Sequence, residues 1–212
     1  MIRKLISLTF VGAALLLAQT HGIAGKVVYP KGAPKIASDF QSRKGVNGQM
    51  RTLGWHQGID IRGNAGQEII AVANGRVLEV TNEKCWGPTV VINHGNDKDY
   101  KPIIALYGHV DETFVQKGDR VKRGQLIAKL GKVIGQRRCT GGVRHLHFQL
   151  GRQYRTVMEK YDTFGWGYFL KDGDRSLNPH DHWADGPYQV TCFQEGVEYE
   201  SGTLTYPVPC SP

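Results

Sequence analysis

A chain of 212 residues, 40% of them hydrophobic, has enough apolar material for one full core, which excludes an intrinsically disordered chain. Twenty-seven glycines argue against a helical bundle and for short strands joined by turns. The formal net charge of +8 favours polyanionic partners, but no recognition helix, nucleic-acid motif or basic tail accompanies it, so nucleic acid is set aside.

The chain opens with a basic head, Met1-Ile2-Arg3-Lys4, and an apolar run from Leu5 to Leu17 broken by Ser7, Thr9 and Gly12. Gly22-Ile23-Ala24 then offers a small-x-small cleavage site. A membrane span needs about 20 apolar residues, so the run is too short for one. Residues 1–24 therefore read as a signal peptide, with a periplasmic or extracellular destination. Its loss takes Arg3 and Lys4 and leaves about +6 of the +8. No later stretch could span a membrane, and a soluble monomer is expected, drawn by charge to anionic envelope polymers.

Residues 25–35 form a Pro/Gly/Lys lead-in. Short apolar runs separated by turn signals follow, as in an antiparallel β-sandwich or barrel-like protein. Glu68–Val72 and Arg76–Val80 flank Asn74-Gly75, a strong hairpin signal. Thr89–Asn93 and Ile103–Tyr107 are the next strands. Val121 and Leu126–Leu130 flank a turn at Lys122-Arg123-Gly124, and Leu146–Leu150 is the last core strand. Tyr161–Phe169 is an aromatic, Gly-rich stretch suited to a loop over a site, and residues 183–212 read as a tail. Cys85, Cys139, Cys192 and Cys210 contain no C-x-x-C pair, and an even count in an exported chain suggests two disulfides. Of the three pairings, Cys85–Cys139 (two long loops) and Cys192–Cys210 (the tail) are favoured.

Two segments carry the chemistry: His56-Gln57-Gly58-Ile59-Asp60 and His145-Leu146-His147. Positions i and i+2 of a strand share a face, so His145 and His147 point together, about 7 Å apart along the strand, while Leu146, Phe148 and Leu150 face the other way. They can serve as two ligands, or as one ligand and one proton carrier. Asp60 lies four positions after His56, and Gly58 permits a bend that turns both to one ion. Neutral imidazole and carboxylate both suit zinc, whereas carboxylate-rich oxygen sites favour calcium or magnesium. His109 ends a strand after Gly108 and can project into a cleft; His94 reads as a turn residue. His180 and His182, after Pro179, are weaker metal candidates. Taken singly, each of these histidines is as well explained as an ordinary surface or turn residue.

The order of motifs resembles the lysostaphin-type, or LytM-type, zinc metallopeptidases. Ser38-Asp39-Phe40-Gln41-Ser42-Arg43 is similar to S-x-F-G-x-R, with Gln41 where the family has Gly. His56 to Asp60 is similar to H-x-G-I-D, Ala71 to Val77 to A-x-x-x-G-x-V, and Tyr107-Gly108-His109 to Y-x-H. Gly118 to Gln125 is similar to G-x-x-V-x-x-G-Q, and His145-Leu146-His147-Phe148 to H-L-H-F. The resemblance covers roughly residues 36–180, within a domain set at 36–182. It implies an all-β antiparallel sandwich with loops walling a groove, zinc on His56, Asp60 and His147, and His109 with His145 as the catalytic pair. The implied activity is endopeptidase cleavage of peptidoglycan stem peptides or cross-links. The alternative is a non-catalytic zinc-binding module of the same fold that regulates wall hydrolases or acts as a secreted signal. A lipoyl- or biotin-type carrier lacks a lysine at a clear hairpin tip and leaves the histidines unexplained.

Overall fold

The structure is a computed structural model and describes residues 25–52, 54–83, 86–131, 140–154 and 176–212. Among the described residues ten strands run in chain order: β1 Ile36–Ser38, β2 Ile59–Arg62, β3 Glu68–Ile70, β4 Gly75–Glu83, β5 Gly87–Asn96, β6 Pro102–Gly108, β7 Glu112–Thr113, β8 Arg120–Val121, β9 Leu126–Lys129 and β10 His145–Gly151. Seven form one sheet in the order β1-β2-β10-β6-β5-β4-β8; three form a second in the order β3-β9-β7. All ladders are antiparallel. The fold is all-β as expected, but among the described residues both sheets stay open and neither closes into a barrel.

The two sheets share one hydrophobic cluster. Ile59 and Ile61 of β2, Tyr107 of β6 and Leu146, Phe148 and Leu150 of β10 meet Ile69 of β3 and Ile127 of β9 there. The period of two along β10 sends these apolar side chains to the core and His145, His147 and Gln149 to the opposite face. A smaller cluster lies apart from this core. Val91, Ile104 and Leu106 pack there with Leu78, Trp86 and Tyr154.

The Asn74-Gly75 signal does not make the expected hairpin. β3 pairs with β9, whereas β4 pairs with β5 and β8, so Asn74 carries the chain from one sheet to the other. The turn after Val121 does the same, because β8 joins β4 and β9 joins β3. Local turn chemistry marks where a chain changes direction but not which strand it then meets. His94 is a buried residue of β5 rather than a turn residue: one ring nitrogen lies 3.1 Å from the Asn74 carbonyl and the other 3.0 Å from the Tyr107 hydroxyl.

The lead-in and the C-terminal segment are packed parts of the fold. Val28 bonds Tyr188 and Val190 through the backbone, and the Tyr206 hydroxyl donates to the Pro34 carbonyl. Trp183, Leu204 and Tyr206 are buried in the main cluster, and Thr205 and Ile70 join the segment to the β3 region through backbone bonds. Cys192 and Cys210 form the expected disulfide, with Cα atoms 5.9 Å apart. The expected signal peptide, Cys85, Cys139 and the Tyr161–Phe169 stretch lie outside the described residues.

Candidate metal centre

Strand register builds the site. On β10, His147 lies directly opposite Asp60 of β2 on one side and Gly108 of β6 on the other. Directly opposed residues project to the same face, so Asp60 and His147 meet without help from a loop. His145 is two residues earlier on that face, opposite Arg62. His109 follows Gly108 with φ +62, a left-handed conformation that turns the chain as β6 ends. His56 comes from the segment before β2, and Gly58 lets that segment press against β10: a Cβ on Gly58 would stand 2.4 Å from the Phe148 carbonyl oxygen. Close approach, rather than the bend expected of Gly58, is what requires glycine there.

His56, Asp60 and His147 form a buried group whose ligand atoms could hold a metal ion. His56 Nε2 lies 3.0 Å from Asp60 Oδ1, His147 Nδ1 lies 2.9 Å from the same oxygen, and the two nitrogens are 3.1 Å apart. Three donors on a tetrahedral ion with bonds of about 2.0 Å would stand roughly 3.3 Å apart, close to this spacing.

Hydrogen bonds behind the ligands fix which nitrogen faces inward. His56 Nδ1 is 3.0 Å from the Asp39 carbonyl oxygen, which can only accept, so Nδ1 carries the proton and Nε2 presents its lone pair. His147 Nε2 lies 3.2 Å from Gln149 Oε1, leaving Nδ1 as the inward donor. Two lone pairs and a carboxylate oxygen thus converge within about a bond's reach of a common point. That arrangement is repulsive unless a cation sits among them. The chemistry of the residues therefore fits zinc.

Two further imidazoles flank this group. His145 Nδ1 is 2.7 Å from the Val143 carbonyl oxygen, and its Nε2 lies 3.6 Å from Asp60 Oδ1. His109 Nδ1 is 2.8 Å from the Trp86 carbonyl oxygen, and the His109 and His145 ring centroids are 4.8 Å apart. Both rings therefore keep Nε2 as the basic nitrogen. Burial, with the neighbouring His145 and His147, pushes His109 down to about 3. Burial likewise lowers His145 and His147 from the usual imidazole value. Burial would raise the Asp60 carboxyl, but the His56, His147 and His145 imidazoles hold it well below the usual carboxylate range.

Several supporting residues escaped the sequence reading. Trp86 stacks on His109, with centroids 5.2 Å apart and planes 14° apart, and meets His147 edge-on. Gly108 makes room for it: a Cβ there would stand 2.9 Å from the Trp86 ring. Arg51 reaches Asp60 Oδ2 at 3.4 Å across a segment that carried no strand signal. Gln149 could have been found, because it extends the period-two face of His145 and His147. His94 is held apart by Tyr107 and Asn74, and neither His180 nor His182 joins the metal group.

The sequence profile described as "Peptidase family M23" matches residues 54–159. The "Murein hydrolase activator NlpD" of Escherichia coli (strain K12) is 35% identical over 105 residues, 49% of this chain and 25% of that protein. The "Murein hydrolase activator EnvC" of the same strain is 30% identical over 145 residues, 67% of this chain and 30% of that protein. The chain thus spans less than a third of the length of these two relatives. Among solved structures, one described as LytU aligns over 70% of this chain and 83% of its own, at 26% identity and a TM-score of 0.47.

Proposed function

The chain belongs to peptidase family M23, and from that premise we propose that it is an exported zinc endopeptidase acting on peptide bonds of bacterial peptidoglycan. One observation carries this reading. The residues that would hold the metal and the two that would move protons are all present, and all five are buried on one sheet face or at its edge. A protein that only displayed this surface to a partner would not need His109 and His145 held as neutral bases beside the metal group.

His56, Asp60 and His147 would hold the ion. Zinc bound there supplies Lewis acidity towards the scissile carbonyl and makes water a nucleophile near neutral pH. The remaining work belongs to the chain. His109 and His145 each have Nδ1 tied to a backbone carbonyl, so each offers Nε2 to substrate or water. One takes the proton of the attacking water at Nε2 and returns it to the leaving amine; the other, unprotonated at Nε2, accepts a hydrogen bond from that water and orients it for attack. Their low proton affinity suits this work, because each stays unprotonated until the water gives up its proton. The Trp86 ring, stacked on His109, excludes water from one side of that imidazole.

A second reading comes from the relatives themselves, whose names make them activators of murein hydrolases. In it this chain regulates a hydrolase and its own centre is structural. Incubating the zinc-loaded protein with defined muropeptides separates the two. The endopeptidase reading expects new amino termini by mass spectrometry, lost in His145→Ala; intact muropeptides would leave the activator reading in possession.

A further inference from the structure

His180 belongs neither to the metal group nor to the flanking pair, yet only about 2% of it is exposed. Its protonation pattern follows from its neighbours. Trp183 Nε1, which can only donate, lies 3.1 Å from His180 Nδ1, so Nδ1 accepts. His180 Nε2 must then carry the hydrogen, and it points at Asp39 Oδ1 at 2.7 Å. The same oxygen accepts from the Phe40 backbone amide at 2.7 Å. The Asp39 side chain is thus pinned by two donors, one from its own loop and one from the C-terminal segment. Its backbone carbonyl is the group that receives His56 Nδ1–H.

The ring of His180 is itself fixed. It stacks on Tyr188, with centroids 5.3 Å apart and planes 17° apart, and meets Trp183 edge-on. Its backbone amide bonds the Asn178 side chain, and its carbonyl receives the Tyr188 amide. Trp183 is anchored in the main core against Tyr206. A rigid C-terminal element therefore reaches over 141 residues of sequence to hold the loop that orients a metal ligand.

We propose that His180 and Asp39 are positioning residues for the metal: His180 Nε2–H fixes Asp39, and the Asp39 carbonyl fixes the tautomer and angle of His56. The inference rests on the metal-centre reading of His56 and adds to it a contribution from outside the matched segment, residues 54–159. A carbonyl or carboxylate behind a metal-bound histidine is worth about 10- to 100-fold in metal affinity. Here that gain would depend on residues 176–212 being docked.

The test is a Zn2+ titration of the metal-free full chain in competition with a chromogenic chelator, for wild type, His180→Phe, His180→Gln, Asp39→Ala and the Asp39→Ala/His180→Phe double variant. Phenylalanine keeps the flat ring against Tyr188 and removes the donor; glutamine keeps a donor near the Nε2 position. His180→Phe and Asp39→Ala should each weaken zinc binding by about tenfold or more, and His180→Gln should recover most of it. The double variant should bind about as weakly as the worse single variant, because both break one chain of contacts. Equal zinc affinity in wild type and a folded His180→Phe protein, with only its melting temperature lowered, would make His180 a purely structural residue and overturn the inference. If His180→Phe does not fold, Asp39→Ala, at a half-exposed side chain, decides the matter by the same criterion. A wild-type protein that takes up no zinc removes the metal-centre reading first and this inference with it.

Discussion

The sequence contains the same pattern twice, His145-Leu146-His147 and His180-Asp181-His182, and the two copies have opposite fates. The first lies on β10, where the period of two gives both rings to one face beside Asp60. The second begins in a 3-10 turn, Pro179–Asp181, whose tighter winding separates the two side chains. His180 is buried behind Asp39, and His182, the capping residue, is partly exposed. Spacing alone is thus no metal signature. What it means depends on the geometry of the backbone that carries it.

The sharpest way to break this contrast is to remove one histidine from each copy. His147→Ala should release the metal and lower muropeptide cleavage by about a thousandfold or more, whereas His182→Ala should leave zinc content unchanged by elemental analysis. A His182→Ala protein without zinc would end the distinction. Within the first copy, His145→Ala should keep its zinc yet lose roughly 100- to 10,000-fold in turnover, as should His109→Ala. Loss of zinc in either would make it a ligand rather than a proton carrier.

The second region should respond through stability. Cys192 and Cys210 close a loop with a sequence separation of 18, and replacing both by serine should cost about 3 kcal/mol in denaturant unfolding. No change would mean that core packing by Trp183, Leu204 and Tyr206 suffices alone. A buried histidine outside both copies, His94, separates pH effects on the fold from those on the site. Burial pushes His94 down to about 4, whereas the unfolded chain takes up that proton near 6.5. The unfolded state therefore binds more protons between these values, and stability is lost as pH falls from about 6.5 to about 4. For the metal-free protein this loss is about 3 kcal/mol, and His94→Gln should flatten that part of the pH–stability curve.

The smallest effect is expected at Gln41. It occupies the position where the resembling motif has glycine, and it adopts φ +56. Its amide is held at 2.7 Å by the His56 carbonyl. Gln41→Gly should therefore stabilise the chain, by less than about 1 kcal/mol in thermal unfolding. Destabilisation would show that the Gln41 side chain makes up for its strained backbone.

Most strands were legible because alternation and turn residues are local signals. The face of β10 could be read for the same reason, and Gln149 could have been added to it. The partners of each strand could not be read. Asn74-Gly75 looked like a hairpin because turn chemistry does not encode which sheet receives the next strand. The C-terminal segment read as a disulfide-tied tail rather than as part of the core because Trp183, Leu204 and Tyr206 follow no periodicity, although all three are in the core. Trp86 and Arg51 reach the site from segments with no regular pattern, so only the folded chain identifies them.

The sequence by itself determined the all-β class, the motif order that marks the family, and the residue types able to bind zinc and carry protons. These are properties of short segments, set by side-chain chemistry and by periods of a few residues. Tertiary structure decided the rest: that His147 stands opposite Asp60, that His56 and His147 turn different nitrogens to the centre, and that a C-terminal histidine stands behind Asp39. The first and last of these are contacts between residues 87 and 141 positions apart, and the two histidines that meet at the centre are 91 apart, all fixed by strand register and core packing that no local pattern records.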